Sequence, residues 1–315
     1  MPDNKKSNRQ AVRNEQDTAW KEILDAYFKE FLSYCLPDLA SQIDWDKPVI
    51  SLDKELQSIT KGAAVGKRLL DKLFKVFLKN GTEQWVLIHV EVQGKPDDDF
   101  PKRMFTYGYR IWDKYQQPLV SCAILTDDSP GWRPDRFEVQ FAGSRLIAEF
   151  LTIKLLDYHN QQTQLEESNN PFASVILVQL AAIDAKTKSN EQRKNIKFML
   201  TRRLYDKGFA RQEIANLYTF IDWLIGLPKE LEVNYLQSVY DLEEAKQMPY
   251  ITSAERFGIE KGLREGELKG KLEGKLEGKL EIAERMLAEG SDPVFIEKVT
   301  ALSIDQIKKL AKNRD

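Results

Sequence analysis

Two apolar runs joined by an Asn-Gly turn constrain this chain more than any other feature. Leu69-Leu-Asp-Lys-Leu-Phe-Lys-Val-Phe-Leu78 and Trp85-Val-Leu-Ile-His-Val-Glu-Val-Gln-Gly94 flank Lys79-Asn-Gly-Thr-Glu83. Asn-Gly between hydrophobic runs signals a hairpin, because both residues accept the positive φ of a tight turn. Register then follows from which face is buried. A two-residue Asn-Gly loop would pair position 71 with position 90 and mix the faces. A three-residue loop, Asn80 to Thr82, sets Asp71 opposite Glu91, Leu73 opposite His89, Lys75 opposite Leu87 and Phe77 opposite Trp85. The other face collects Phe74, Val76, Leu78, Val86, Ile88, Val90 and Val92, all apolar.

Opposed residues have Cβ atoms roughly 5 Å apart, and like charges there repel unless a cation lies between them. A hard dication such as Mg2+ is held by one or two carboxylates together with water and phosphate oxygens. The spacing therefore points to a metal site suited to phosphate chemistry. The plainer alternative pairs Asp71 with Lys72 or Lys75 and leaves Glu91 as a strand-end surface residue.

The pattern Asp71, hairpin, Glu91-Val-Gln93 resembles the PD-(D/E)XK nuclease superfamily in its E-x-Q variant. The wider match resembles the recombination-promoting nuclease (Rpn) and PD-(D/E)XK transposase-like family. It is carried by Asp17-Thr-Ala-Trp-Lys21, Leu52-Asp-Lys-Glu-Leu56, Ile88-His-Val-Glu-Val-Gln93, Arg103-Met-Phe-Thr-Tyr107, Leu125-Thr-Asp-Asp128 and the Gly-spaced tail from Gly258. The resemblance covers residues 15 to 160 well and the helical remainder loosely. It implies an α/β fold, a restriction-endonuclease-like mixed sheet flanked by helices, followed by an α-helical C-terminal region. It further implies a metal-dependent endonuclease acting on DNA, linked to recombination or transposition. Asp71 and Glu91 would bind Mg2+ or Mn2+, helped by the Val92 carbonyl. Gln93 would be the third catalytic residue, where the name-giving motif has Lys. An amide carries no charge and is no ordinary base, so this departure bears on rate more than on the metal. The alternative is a weak or inactive nuclease fold serving as a binding or oligomerisation module.

Supporting roles are open for several residues. Glu55 and Asp53 could add a carboxylate or lie in a solvated loop, and Glu22 is a further acid on the first helix. Arg103 and Tyr107 lie one helical turn apart and either contact phosphate or brace the site. His89 shares the Glu91 face and reads more readily as a packing group, and His159 as an exposed one. Lys186 to Arg211 is locally basic and either tracks a DNA backbone or forms a solvated helix face.

At 315 residues the chain exceeds one ordinary core. The expected division is a flexible N-terminus over 1–14, a nuclease-like domain over 15–160, a helical domain over 161–257 and a Gly-repeat tail with a terminal helical pair over 258–315. A net charge of −2 gives no global pull toward nucleic acid, so a DNA surface must be local. Cys35 and Cys122 make no disulfide framework, and neither a signal-peptide stretch nor a membrane-length run is visible, which fits the cytoplasm.

The remaining expectations are local. Asp17 caps a helix striped by Trp20, Ile23, Leu24, Tyr27, Phe28, Phe31, Leu32 and Cys35. Pro48 to Leu52 is a short strand or loop, Phe100 to Tyr115 a helix and Leu119 to Leu125 a buried strand. Phe137 to Phe141 and Leu146 to Leu155 read as strands, polar Asn160 to Asn170 ends the first unit, and helices follow from Pro171. From Gly258 to Gly278 a glycine recurs every fourth residue. Either it packs against a partner, giving self-association or restraint of the nuclease, or it is a charged linker. Ser303 and Gln306 form a capping box for a last helix.

Overall fold

The computed structural model describes residues 18–60, 71–79 and 85–248, and in the tail 279–280, 282–283, 285–287, 289–300 and 302–304. The loop at Asn80 to Thr82, the Gly repeat of 258–278, the Asp17 cap and the Gln306 partner of Ser303 lie outside these residues.

The architecture is α/β. A mixed five-stranded sheet has helices on both faces. Its order is β1 (Ile50–Ser51), β2 (Asp71–Phe77), β3 (Trp85–Gln93), β4 (Leu119–Leu125) and β7 (Leu151–Lys154). β2 pairs antiparallel with β1 and β3, whereas β3–β4 and β4–β7 are parallel. Helix α5 (Phe100–Tyr115) makes the β3-to-β4 crossover. Its start is set by Pro101 in the first turn, where a missing N–H costs nothing, and it ends at Gln116 in a left-handed conformation. The β2–β3 register is the one expected, with Asp71 opposite Glu91 and Phe77 opposite Trp85.

One sheet face builds the main core. Phe74, Val76, Ile88, Val90, Val92, Cys122, Ile124 and Ile153 meet α1 (residues 18–26), α2 (Phe28–Cys35) and α7 (Pro171–Ala185). Phe28 stacks on Phe74 with ring centroids 4.0 Å apart. Full burial of such a side chain contributes about 1.5–3 kcal/mol. Helix α7 is apolar all round its middle and is buried accordingly. Trp20 Nε1 donates to Gln179 Oε1 at 3.3 Å, and Gln179 Nε2 donates to the Thr126 carbonyl at 3.2 Å, so α1, α7 and the end of β4 are tied together. The opposite face is covered by α5 and α4 (Asp53–Thr60), through one cluster at Phe100, Met104, Ala123 and Leu125 and another at Leu56, Leu73, Leu87 and Ile111.

Several local expectations are corrected. The first helix is interrupted at Tyr27, whose φ of −130° and ψ of 33° break the run before α2; the apolar stripe continues across the break. After α2 comes α3 (Pro37–Gln42). The run from Leu146 to Leu155 is two strands in two sheets. β6 (Ser144–Glu149) forms a separate hairpin with β5 (Arg136–Phe141), and Phe150 divides it from β7. The hairpin turns at Ala142 and Gly143, with φ of 47° and 85°, the two positive values a tight two-residue loop requires. Asn160 to Asn170 is not a boundary loop. It holds the end of a 3-10 helix (Leu155–Gln161) and α6 (Gln162–Glu167), whose Leu165 is buried.

Residues 1–250 form one unit and 251–315 another. The helices after residue 160 share the sheet's core: Phe172, Val175, Leu204, Leu217 and Phe220 lie in the same cluster as Val90 and Ile124. Helices α8 (Asn190–Asp206), α9 (Arg211–Leu224) and α10 (Lys229–Lys246) complete this unit. Among the described tail residues, helix α11 (Pro293–Thr300) contributes Ile296 to a small cluster with Ala283 and Leu302. No helix among the described residues is long and apolar enough to cross a membrane.

Candidate functional site

The site face of the sheet can be built rung by rung. Leu73, His89 and Ser121 form one row. Asp71, Glu91, Ala123 and Thr152 form the next. Gln93, Leu125 and Lys154 form the row at the strand ends. Side chains alternate along each strand, so His89, Glu91 and Gln93 project to the same side. That side is the one covered by α5. The polar row at Glu91 lies between the two apolar clusters.

Arg103 organises the polar side chains. It is 1% exposed, on the buried flank of α5. Its Nε donates to Glu91 Oε1 at 2.6 Å, its Nη2 to Gln93 Oε1 at 2.9 Å and its Nη1 to Asp97 Oδ2 at 3.0 Å. The planar fork of a guanidinium suits three acceptors set round it in this way. Burial opposes the charge on Arg103, but Glu91 and Asp97 outweigh it and raise its already high pKa. Gln93 is held at both ends, since its Nε2 donates to the Lys95 carbonyl at 2.6 Å. Glu91 itself is 2% exposed. An ionised carboxylate so buried needs the partner it has in Arg103.

His89 lies one row away, fully buried, in a T-shaped contact with Tyr107 at a centroid distance of 6.0 Å. Burial lowers its pKa to about 4, so it is neutral near pH 7. Neither Nδ1 nor Nε2 has a hydrogen-bond partner among the described residues. At the strand ends Lys154 is buried against Asp127, with Nζ 2.7 Å from both carboxylate oxygens. Lys154 shares the row of Gln93, two strands away and so roughly 10 Å off.

The expected residues fall out as follows. Asp71 faces Glu91 by backbone register; its side chain lies outside the described atoms. Glu91, Gln93, Arg103 and Tyr107 come together on one face. The plain alternative for Glu91 as a surface residue is overturned, since it is buried. Lys72 points to the opposite face and pairs with Asp25 and Asp53, with the Leu73 N–H donating to Asp53 Oδ1 at 3.2 Å. Asp53 is thus engaged in holding β2. Glu55 is half-buried on α4, and its charge bears on Tyr115, twelve residues beyond Arg103 on α5. That is about 18 Å along the helix. His159 is exposed beside Asp184. Among the described residues no three His, Cys, Asp or Glu side chains converge closely enough to hold a metal ion.

The sequence reading gave no role to Asp97 or Lys154, and used Asp127 only within the Leu125-Thr-Asp-Asp128 stretch. Asp97 was visible only as part of an acidic turn. Lys154 had one signal, a lysine inside the apolar run Leu151-Thr-Ile-Lys-Leu155. The basic stretch from Lys186 is largely occupied internally. Lys197 is fully buried between Asp222 and Glu232, Lys186 pairs with Asp128, Lys194 with Glu191 and Arg203 with Glu166. Lys207 bonds the Ser168 carbonyl and Arg193 the Gly226 carbonyl. Most of these charges neutralise carboxylates or cap backbone groups within the fold, which weakens the case for a DNA track there. A cavity of 730 Å³ lies behind the sheet instead, lined by Trp20, Val92, Gly94, Thr126, Gln179 and Arg193 among others. It is not the Glu91 site, because Val92 faces the main core. No family model, no curated protein and no solved structure matches this chain.

Proposed function

We propose that this protein is a metal-dependent nuclease that hydrolyses DNA phosphodiester bonds, with the PD-(D/E)XK arrangement of the recombination-promoting nuclease and transposase-like group. One observation carries the reading. Asp71 stands opposite Glu91, and Gln93 follows on the same face with Arg103 bonded to both Glu91 and Gln93.

The donor chemistry fits a hard dication, which takes carboxylate oxygens. Arg103 occupies Glu91 Oε1, but a carboxylate has about four acceptor sites, so the ion pair does not exhaust it. Mg2+ or Mn2+, held by Asp71 and Glu91, would supply charge stabilisation and a more acidic water when bound. The chain's own residues do the rest. Gln93 stands where the name-giving motif has Lys and brings no charge. Arg103 brings that charge to the same spot from α5, with Nη2 2.9 Å from Gln93 Oε1. A guanidinium there stabilises negative charge developing on phosphate oxygens. Gln93, oriented by the Lys95 carbonyl, keeps acceptor capacity on Oε1 to position a water.

A second reading, the nuclease fold as a binding module, is favoured by the burial of Glu91 and its neutralisation by Arg103. Incubating purified protein with supercoiled plasmid in Mg2+, in Mn2+ and in excess chelator separates the two. Nicking in either metal and none in chelator supports the enzyme. Intact plasmid in all three supports the module.

A further inference from the structure

We infer that His89 is a nitrogen ligand of the Asp71–Glu91 cation site, which therefore takes Mn2+ in preference to Mg2+. The inference rests on the cation-site reading above and names the ion it selects.

His89 and Glu91 are two residues apart on one strand face. That places their Cα atoms about 7 Å apart, close enough for two long side chains to converge on one ion. His89 is fully buried, and both ring nitrogens lack a hydrogen-bond partner among the described residues. Buried polar atoms are nearly always paired, and an unpaired one calls for an explanation. Leu73 stands across the β2 rung, Ser121 is the rung partner on β4, and the Tyr107 ring meets the imidazole in a T-shaped contact, yet no described residue is hydrogen-bonded to either nitrogen. A phenylalanine would fill this place without stranding two polar atoms. An electrophile at the adjoining Asp71–Glu91 rung would satisfy the imidazole lone pair. Mg2+ holds to oxygen ligands and dehydrates reluctantly, whereas an imidazole nitrogen favours a first-row transition dication.

The chain has only two histidines, so the ligand can be identified spectroscopically. Pulsed EPR of the untagged full-length protein with bound Mn2+ is expected to show a directly coordinated imidazole nitrogen. The signal should persist in His159→Ala and vanish in His89→Phe. By calorimetry, His89→Phe should weaken Mn2+ binding about tenfold or more and change Mg2+ binding by less than about threefold. Thermal melting of the metal-free variant should match or exceed wild type, which separates lost ligation from lost fold. Bound Mn2+ with oxygen ligands alone, abolished by Asp71→Asn and untouched by His89→Phe, would overturn the inference and leave the cation site standing. Absence of any Mn2+ or Mg2+ binding to wild type would remove both.

Discussion

At the scale of single residues, Arg103 holds the site together. It neutralises Glu91, orients Gln93 and anchors Asp97. Arg103→Met leaves a carboxylate buried without its charge partner, which costs about 3–5 kcal/mol. At roughly 2–4 °C per kcal/mol for a unit of this size, thermal melting should fall by about 6 °C or more. Arg103→Lys keeps the charge but cannot serve three fixed acceptors, so its melting temperature should lie between the two. An unchanged melt for Arg103→Met would show that the ion pair carries no stability. The same geometry predicts that Glu91→Ala destabilises the fold. Glu91 is paired, so its removal leaves the buried Arg103 charge balanced by Asp97 alone among the described ion pairs. Asp71 is the better test residue, because its substitution leaves the Glu91–Arg103 pair in place. The face shared by His89, Glu91 and Gln93 was legible, because strand side chains alternate. Arg103's role was not, because it comes from another element and only folding brings it onto the strand. The thiols offer a simple control. Burial pushes Cys35 up to about 12 and Cys122 higher. A thiol reagent at pH 8 should therefore leave Cys122 unmodified until the protein is denatured, and rapid native labelling of Cys122 would contradict the core packing.

At the scale of elements, the β2–β3 register was readable because only one pairing gives a wholly apolar face. The division of Leu146 to Leu155 was not readable. The run is continuously strand-like, and the chain changes sheet at Phe150 with no Gly or Pro to mark it. The β5–β6 turn at Ala142-Gly143 takes positive φ at both residues, which alanine does not advertise in the sequence. Helix α5 carries a further testable feature. A Cβ on Gly108 would lie 3.5 Å from Ser121 Oγ and 3.6 Å from Leu119 Cδ2, which is ordinary contact. Interior Gly costs roughly 1 kcal/mol against Ala in a helix, so Gly108→Ala should stabilise the protein by up to about that amount in denaturant unfolding. A loss of 1 kcal/mol or more would mean that α5 sits closer to β4 than these contact distances allow.

At the scale of the whole molecule, the expected boundary near residue 160 was a misreading of polarity. Asn160 to Asn170 covers the solvent side of short helices whose Leu165 is fully buried, and α7 belongs to the sheet's core. Composition alone could not reveal this, because a helix packed on a sheet and a helix in its own domain have the same apolar content. The unit ending at Tyr250 should fold without the tail. Truncation after Tyr250 should leave the cooperative melt of the first unit within about 2 °C of the full chain, and a collapse of that melt would show that the tail is part of its core. The central claim is cleavage at the Asp71–Glu91 rung, and the direct measurement is the rate of plasmid nicking by wild type and Asp71→Asn under identical Mg2+ or Mn2+ conditions. This substitution removes one charge and leaves the Glu91–Arg103 pair in place. The account expects a metal-dependent wild-type rate and a loss on the order of 100-fold or more in Asp71→Asn; equal rates from the two proteins, with matching melting curves, would contradict it.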